Sequence, residues 1–287
     1  MHETQHSPIR RWGAFAGLLA ATVFFLAPLV WMVSTSFKPE SQAASESLRL
    51  LPDPPGDAPR IAAENYRAVW TDDSINFPLY LRNTLIVALL SVVGMVLSSA
   101  VVAYGFARPA WRLRGPLFTV VLATMMIPFP VLMTPLFVLF SKFGWIGTLK
   151  PLWVPAWFGA AFNIFLLRQF YMGIPKELDE AARIDGCGHW GIFWRIILPL
   201  SRPALAVVAL FHFMYVWNDF LAPMVFIVNR DNFTLALGLQ LYQSKAGNTP
   251  WNLLMAASTL VAAPVLILFM ATQRTFIRGL STGAGKE

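Results

Sequence analysis

Apolar residues in this chain fall in long unbroken runs and not in alternation. Five stretches, Trp12 to Phe37, Asn83 to Ala107, Gly115 to Ser141, Pro151 to Leu167 and Ala246 to Gln273, contain no charged residue, and each is bounded by Lys or Arg. A sixth, Pro203 to Asn229, holds one charge, Asp219. A helix rises about 1.5 Å per residue and a bilayer's hydrocarbon core is about 30 Å thick, so a span needs roughly 17 to 25 apolar residues. All six stretches qualify, Pro151 to Leu167 at the lower limit. A transmembrane barrel would instead show ~10-residue segments alternating apolar and polar positions. The pattern predicts an all-α membrane protein with six transmembrane helices.

Composition agrees. Of the 287 residues, 56% are hydrophobic and 13% charged, against about 25% charged in soluble domains. The distribution of Lys and Arg sets the orientation. With both termini cytoplasmic, the inside segments are 1–11, 108–114, 168–202 and 274–287, and they carry thirteen of the 22 Lys and Arg residues. Arg108, Arg112 and Arg114 within one short turn are the clearest sign. The formal charge of +7 and pI near 9.9 do not point to nucleic acid, because the basic residues cluster beside helix ends, where anionic lipid headgroups attract them. The first run is longer than the h-region of a secretory signal and lacks a good cleavage site, so it is expected to remain as a helix. One cysteine, Cys187, excludes an internal disulfide, and His2, His6, His189 and His212 show no metal-ligand spacing, so no metal, redox group or other cofactor is expected.

The longest outside segment, Lys38 to Arg82, is rich in proline and is expected to be extended at first, with a short helix around Ala62 to Trp70. Trp70, Tyr80, Trp111, Trp145, Trp153 and Trp251 fall near span ends, where amphipathic rings favour the bilayer interface. Pro128, Pro130, Pro135, Pro155, Pro223 and Pro264 lie inside spans. Each frees a backbone carbonyl that a neighbouring helix or a water-lined path must satisfy.

The inside segment Ile174-Pro175-Lys176-Glu177-Leu178-Asp179-Glu180-Ala181-Ala182-Arg183-Ile184-Asp185-Gly186 reads as a short helix in water. Pro175 suits the first helical position, Glu177, Asp179 and Glu180 suit the positive N-terminal end, and Gly186 suits a left-handed stop. Leu178, Ala181 and Ala182 would give it a narrow face of small apolar residues. A second helix follows from about His189 to Leu198 and is expected to end at Pro199. Two short helices joined at a glycine and hung between spans form a knob that a soluble partner could grip.

The pattern Glu180-Ala181-Ala182, three residues, Gly186, nine residues, then Ile196-Ile197-Leu198-Pro199 resembles the EAA loop of binding-protein-dependent ABC importer permeases. From about Leu81 to Gly279 the chain is similar to the maltose-type permease of carbohydrate importers. The likeness includes Leu81-Arg82-Asn83-Thr84, Ala123-Thr124-Met125-Met126-Ile127-Pro128, Phe165-Leu166-Leu167-Arg168-Gln169-Phe170, Trp217-Asn218-Asp219-Phe220 and Leu254-Met255-Ala256-Ala257-Ser258. It implies the type I permease fold over residues 81–279, preceded by a tail, first helix and outside loop over 1–80 and followed by a cytoplasmic tail, 280–287. It also implies a coupling loop at 172–200, with Glu180, Ala181, Ala182, Asp185, Gly186, Ile196, Leu198 and Pro199 engaging the ATPase.

The chain has no G-x-x-x-x-G-K-[ST] phosphate loop. Gly283-Ala284-Gly285-Lys286 imitates one, but Leu280 and Glu287 stand at its first and last positions. The ATPase is therefore expected on separate ABC subunits, and the resemblance adds a second permease subunit and an extracytoplasmic solute-binding protein, with membrane lipid as the surrounding partner and no nucleic acid. Asp219, the only acid inside a span, falls about 24 Å past Arg202 along a helix and so near the outer rim. It is a path candidate with Asn163, His212 and Asn218, though each also has a plain structural reading as a helix-end or helix-joining group. The solute is expected to be a sugar or sugar-like, with glycerol phosphate as the alternative. An ion-coupled transporter would place several ionisable groups at mid-membrane, and a membrane enzyme would need a convergent catalytic set; neither pattern is present.

Overall fold

The computed structural model describes residues 8–45, 49–243 and 249–283, with side chains over 12–45, 49–243 and 249–272. Of the C-terminal tail expected at 280–287, residues 284–287 lie outside the described residues. The described part is helical and contains no strand. Its main helices are α1 (Pro8–Ser36), α2 (Ala58–Thr71), α3 (Phe77–Ala107), α4 (Arg114–Ala123), α5 (Phe129–Lys142), α6 (Ala161–Gly173), α7 (Glu177–Ile184), α8 (His189–Leu200), α9 (Arg202–Trp217), α10 (Leu221–Phe226), α11 (Leu235–Gln243) and α12 (Trp251–Gly283).

Among the described residues three helices are by themselves long and apolar enough to cross a membrane: Trp12–Ser36 of α1, the whole of α3, and Trp251–Thr272 of α12. The other expected windows are broken. The third bends by 99° between α4 with its following turn and α5, because Pro128 holds an extended backbone at φ −71°, ψ 142° and pushes Ile127 out of the helical region as well. In the fourth, a helical turn at Lys150–Trp153 and a tight turn at Val154–Phe158 end at Gly159, whose φ is +78°; α6 restarts two residues later. The fifth ends early, at Trp217, and the chain re-enters helix only at Leu221. A helix of 13 residues such as α6 rises only about 20 Å, so the fourth stretch is not a single straight span. Hydropathy registers an apolar run but not a break within it.

Inter-residue contacts divide the chain into two compact units. One comprises the chain through Phe77 with Leu239–Pro264. In it helix α2 is longer than the expected Ala62 to Trp70. Its buried Asn65 donates from Nδ2 to the carbonyls of Ser36 and Lys38, both at 2.9 Å, and accepts from Asn252 Nδ2 at 2.9 Å. Those carbonyls belong to the C-terminal end of α1, where helical groups lack intrahelical partners. The Lys38 ammonium sits 4.3 Å from the centre of the Trp31 ring.

The second unit comprises Pro78–Gly238 and the last helix from Val265 onward. Its core gathers Ala103, Tyr104, Leu167, Tyr171, Ile192, Phe193, Ile197 and Val208. A close crossing adds to it: a Cβ on Gly94 of α3 would stand 2.4 Å from Cδ1 of Trp157, so the indole lies against bare helix backbone. Nearby, Ser91 Oγ donates to Leu152 O at 3.2 Å and Ser98 Oγ to Ala156 O at 3.3 Å. Small residues allow such close approach in membrane helices. Tyr80 is buried against Gly238 and Phe233.

Candidate functional site

The loop at 172–200 forms from sequence much as its residues suggest, with four corrections. Helix α7 begins at Glu177, so Pro175 lies ahead of the first helical position, not at it. It stops as expected. Gly186 takes φ +83°, its N–H donates to Arg183 O at 3.0 Å, and the Cys187 N–H donates to Ala182 O at 2.8 Å. This pair of bonds is the Schellman arrangement, which satisfies the last carbonyls of the helix. Nothing lies within 4 Å of where a Gly186 Cβ would stand, so the glycine is required by backbone conformation alone.

The second correction concerns the faces of α7. Ala182 is buried, whereas Leu178, Ala181 and Ile184 are exposed, Ile184 at 88%. The outward apolar stripe is therefore Leu178, Ala181 and Ile184, flanked by exposed Glu177, Glu180 and Asp185. Third, α8 does not end at Pro199. It passes through a π-helical turn at Phe193–Ile197 and continues to Leu200, and the chain turns by 76° into α9. Ile196 and Leu198 are half-buried against the core, and Pro199 is exposed.

The fourth correction is the largest: the loop is not a helix free in water. Asp179, read from sequence as one of three acids at a helix start, is buried, and its Oδ2 lies 3.6 Å from Arg108 Nη1. The two side chains are 9% and 3% exposed. Arg108 Nη2 also donates to Ile174 O at 2.9 Å. One helical turn earlier, Tyr104 OH donates to His189 O at 3.1 Å, and its ring packs on Phe193 with centroids 5.2 Å apart. The end of α3 thus holds the entry to α7 through Arg108 and the start of α8 through Tyr104. Arg168 is drawn inward too, donating from Nε to Phe106 O at 3.1 Å while its guanidinium covers the Phe118 ring at 4.2 Å. Arg108 and Arg168 therefore both make structural contacts within the protein. The i, i+4 spacing of Tyr104 and Arg108 was visible in the sequence, but nothing there linked it to residues some 70 to 85 positions on.

The path candidates divide. Asn163, His212 and Asp219 line one cavity of about 420 Å³ within the second unit, together with Phe129, Phe162, Phe211 and Tyr215. His212, Tyr215 and Asp219 fall at i, i+3 and i+7, one face at helical spacing. Asn163 and His212 are buried. Asp219 lies just beyond the end of α9, and its Oδ1 accepts from the Ala222 N–H at 3.2 Å, capping α10. Asn218 does not join them: it is exposed and donates back to Met214 O at 2.8 Å, closing the end of its own helix. The cavity also has residues that sequence reasoning missed, chiefly Thr84 and the aromatics, since a buried Thr or Phe in an apolar run carries no separate signal.

Residues 94–282 match the family described as "Binding-protein-dependent transport system inner membrane component". The chain belongs to this family. It is accordingly a membrane-embedded transport component and not an enzyme. Among its relatives, the "Arabinooligosaccharides transport system permease protein AraQ" of Halalkalibacterium halodurans is 35% identical over 280 residues, covering 98% of both chains. The "Trehalose/maltose transport system permease protein MalG" of Thermococcus litoralis is 34% identical, covering 94% of this chain and 95% of that one. A chain from the crystal structure of a bacterial ABC transporter that imports the acidic polysaccharide alginate superposes with a TM-score of 0.79 at 22% identity, over 95% of this chain and 99% of the other. That likeness is one of fold.

Proposed function

We propose that this family member forms half of the translocation path of an ATP-driven importer for a sugar or sugar-like solute, and that α7 and α8 couple it to a separate ATPase. The single observation that carries the coupling role is the pairing of an exposed apolar stripe on α7 with a buried ion pair behind it. A short helix offers Leu178, Ala181 and Ile184 outward while Asp179 ties it to Arg108 at the end of a long helix. Force applied to the stripe would reach α3 through that tie. The solute class rests on the relatives, whose names specify arabinooligosaccharides and trehalose or maltose. A second permease subunit would complete the path, and a binding protein would deliver the solute outside, in keeping with the family's description.

In this reading the chain crosses six times with both termini inside, the third to fifth crossings being made by broken helices. ATP binding closes the ATPases, the loop follows them, and the path opens outward; nucleotide and loaded binding protein must each favour one form over the other. Both parts are testable. In a Cys187→Ser background, a probe confined to the outside should label a cysteine at Asp57 and not one at Arg112; the reverse pattern would invert the orientation. Leu178→Asp, Ala181→Trp and Glu180→Lys should keep normal membrane levels but lower ATPase co-purification, solute-stimulated hydrolysis and uptake together. Wild-type values for all three would remove the coupling role.

A further inference from the structure

Two arginines of the second unit, Arg114 at the start of α4 and Arg168 on α6, are held near each other by neutral partners. Arg168 Nε donates to Phe106 O at 3.1 Å, and its guanidinium covers the Phe118 ring at 4.2 Å. That ring in turn packs on Phe106 and Phe165, with centroids 5.4 and 6.5 Å apart. Arg114, half-buried, donates from Nη1 to Pro109 O at 3.3 Å. Arg108 has Asp179 at 3.6 Å, but among the described residues neither Arg114 nor Arg168, nor the exposed Arg112 beside them, has a carboxylate within 4 Å. Burial first, and then the charge of Arg114, push the Arg168 pKa below its ordinary value, though a guanidinium remains charged at any ordinary pH. The positive end of α4 adds to this uncompensated charge. Most N–H donors of both forks are still unused, and such forks match the oxygens of a phosphate. A second feature adjoins the first. Leu113, Leu117 and Val120 are exposed at i, i+4 and i+7, so an apolar stripe runs along α4 away from the arginines. A free phosphate would use the cations alone; a phosphate carrying acyl chains would use both.

We propose that Arg114 and Arg168, with Arg112 at the edge, form a site for the headgroup phosphate of an anionic membrane phospholipid, whose acyl chains lie along Leu113, Leu117 and Val120. Basic residues at helix ends attract anionic lipid diffusely, whereas a basic pocket between helices can hold one headgroup. Here the headgroup bridges α4 and α6 and cancels the repulsion between their arginines. It also braces the end of α3, because Arg168 is bound to Phe106 O, two residues before Arg108. The site depends on the chain's being membrane-embedded and not on which solute it carries.

The test purifies the full chain from micelles holding equal amounts of phosphatidylglycerol and phosphatidylcholine with the same acyl chains, then extracts and counts the lipid retained per protein. Phosphatidylglycerol should be retained in clear excess. Arg114→Gln and Arg168→Gln should each lower its retention about fivefold, the effect of one arginine near an anionic headgroup, and Leu117→Asn should lower it too. Arg202→Gln, at an exposed arginine that opens α9, should leave it unchanged. Equal retention of the two lipids, wild-type retention in both arginine variants, or an equal fall in Arg202→Gln would overturn the site, the last by reducing it to bulk attraction. Displacement of the lipid by excess inorganic phosphate would overturn it in favour of a free anion. Thermal unfolding covers a variant that folds poorly: phosphatidylglycerol should raise the wild-type Tm more than phosphatidylcholine does, and that difference should vanish in Arg114→Gln whatever its Tm in phosphatidylcholine. A difference of wild-type size in Arg114→Gln would also overturn the site. The count is repeated on the assembled importer, where the excess should persist; its loss there would give the arginines to a carboxylate of another subunit and not to lipid.

Discussion

Removing one partner of the Arg108–Asp179 pair should loosen the 172–200 loop more than removing both. At an effective dielectric constant of about 20, two unit charges at the observed 3.6 Å attract by about 4 to 5 kcal/mol, and deleting one member of a buried pair commonly costs about 3 to 5 kcal/mol because the other charge stays buried alone. In Asp179→Leu that stranded group is Arg108, which retains only the Ile174 carbonyl. In Arg108→Met the stranded group is Asp179, and Ile174 O also loses its donor, a further penalty of about 1 to 3 kcal/mol. The double variant Arg108→Met/Asp179→Leu replaces the pair by apolar groups, an exchange that is often close to neutral, and should leave mainly the Ile174 carbonyl unsatisfied. A loss of about 3 kcal/mol raises the population of the detached loop by about two orders of magnitude. Lys176 and Arg183 flank Asp179 and are exposed, so trypsin added to the purified protein should cut there at least tenfold faster in either single variant than in the double. Solute-stimulated ATP hydrolysis should fall in the same order. A double variant cut as fast as the worse single, or an Asp179→Leu loop as resistant as wild type, would refute the view that this pair holds the loop.

Three other substitutions separate backbone, packing and hydrogen-bond contributions. Gly186→Ala should cost about 1 kcal/mol by backbone strain alone, since no atom is near the added methyl, and Gly186→Asn less; the order of trypsin sensitivity in the loop checks it. Gly94→Ala drives a methyl into the Trp157 ring and should destabilise the purified chain by about 1 to 3 kcal/mol, with Trp157→Leu restoring most of the loss in thermal unfolding; no recovery would remove the contact as the cause. Asn65→Leu strands the carbonyls of Ser36 and Lys38 and the Asn252 amide and should cost about 1 to 3 kcal/mol for each unsatisfied group, read as faster proteolysis between Lys38 and Arg60.

The sequence by itself determined that this chain is helical and membrane-embedded, because uncharged runs of bilayer length leave few other solutions. It also determined the stop of α7. A left-handed residue there must be glycine or nearly so, and the following Cys187 N–H completes the cap without help from distant residues. The motif from Glu180 to Pro199 sufficed to name the family. What sequence could not supply were features made by residues far apart in the chain. Asp179 and Glu180 are adjacent acids on one short helix, yet one is buried against Arg108 and the other exposed, a difference set by where α3 ends. Asn218 and Asp219 are neighbours too, and only the second reaches the cavity, because α9 stops at Trp217 and the turn directs the two side chains apart. Hydropathy averages over a window, so it cannot see a break at Ile127–Pro128 or at Gly159. Those breaks are what allow short segments such as Val154–Phe158 to pack against a bare glycine on α3. Local propensity thus fixed the pieces, and packing between distant pieces decided which acid is a tie, which is a wall of a cavity and which stays exposed.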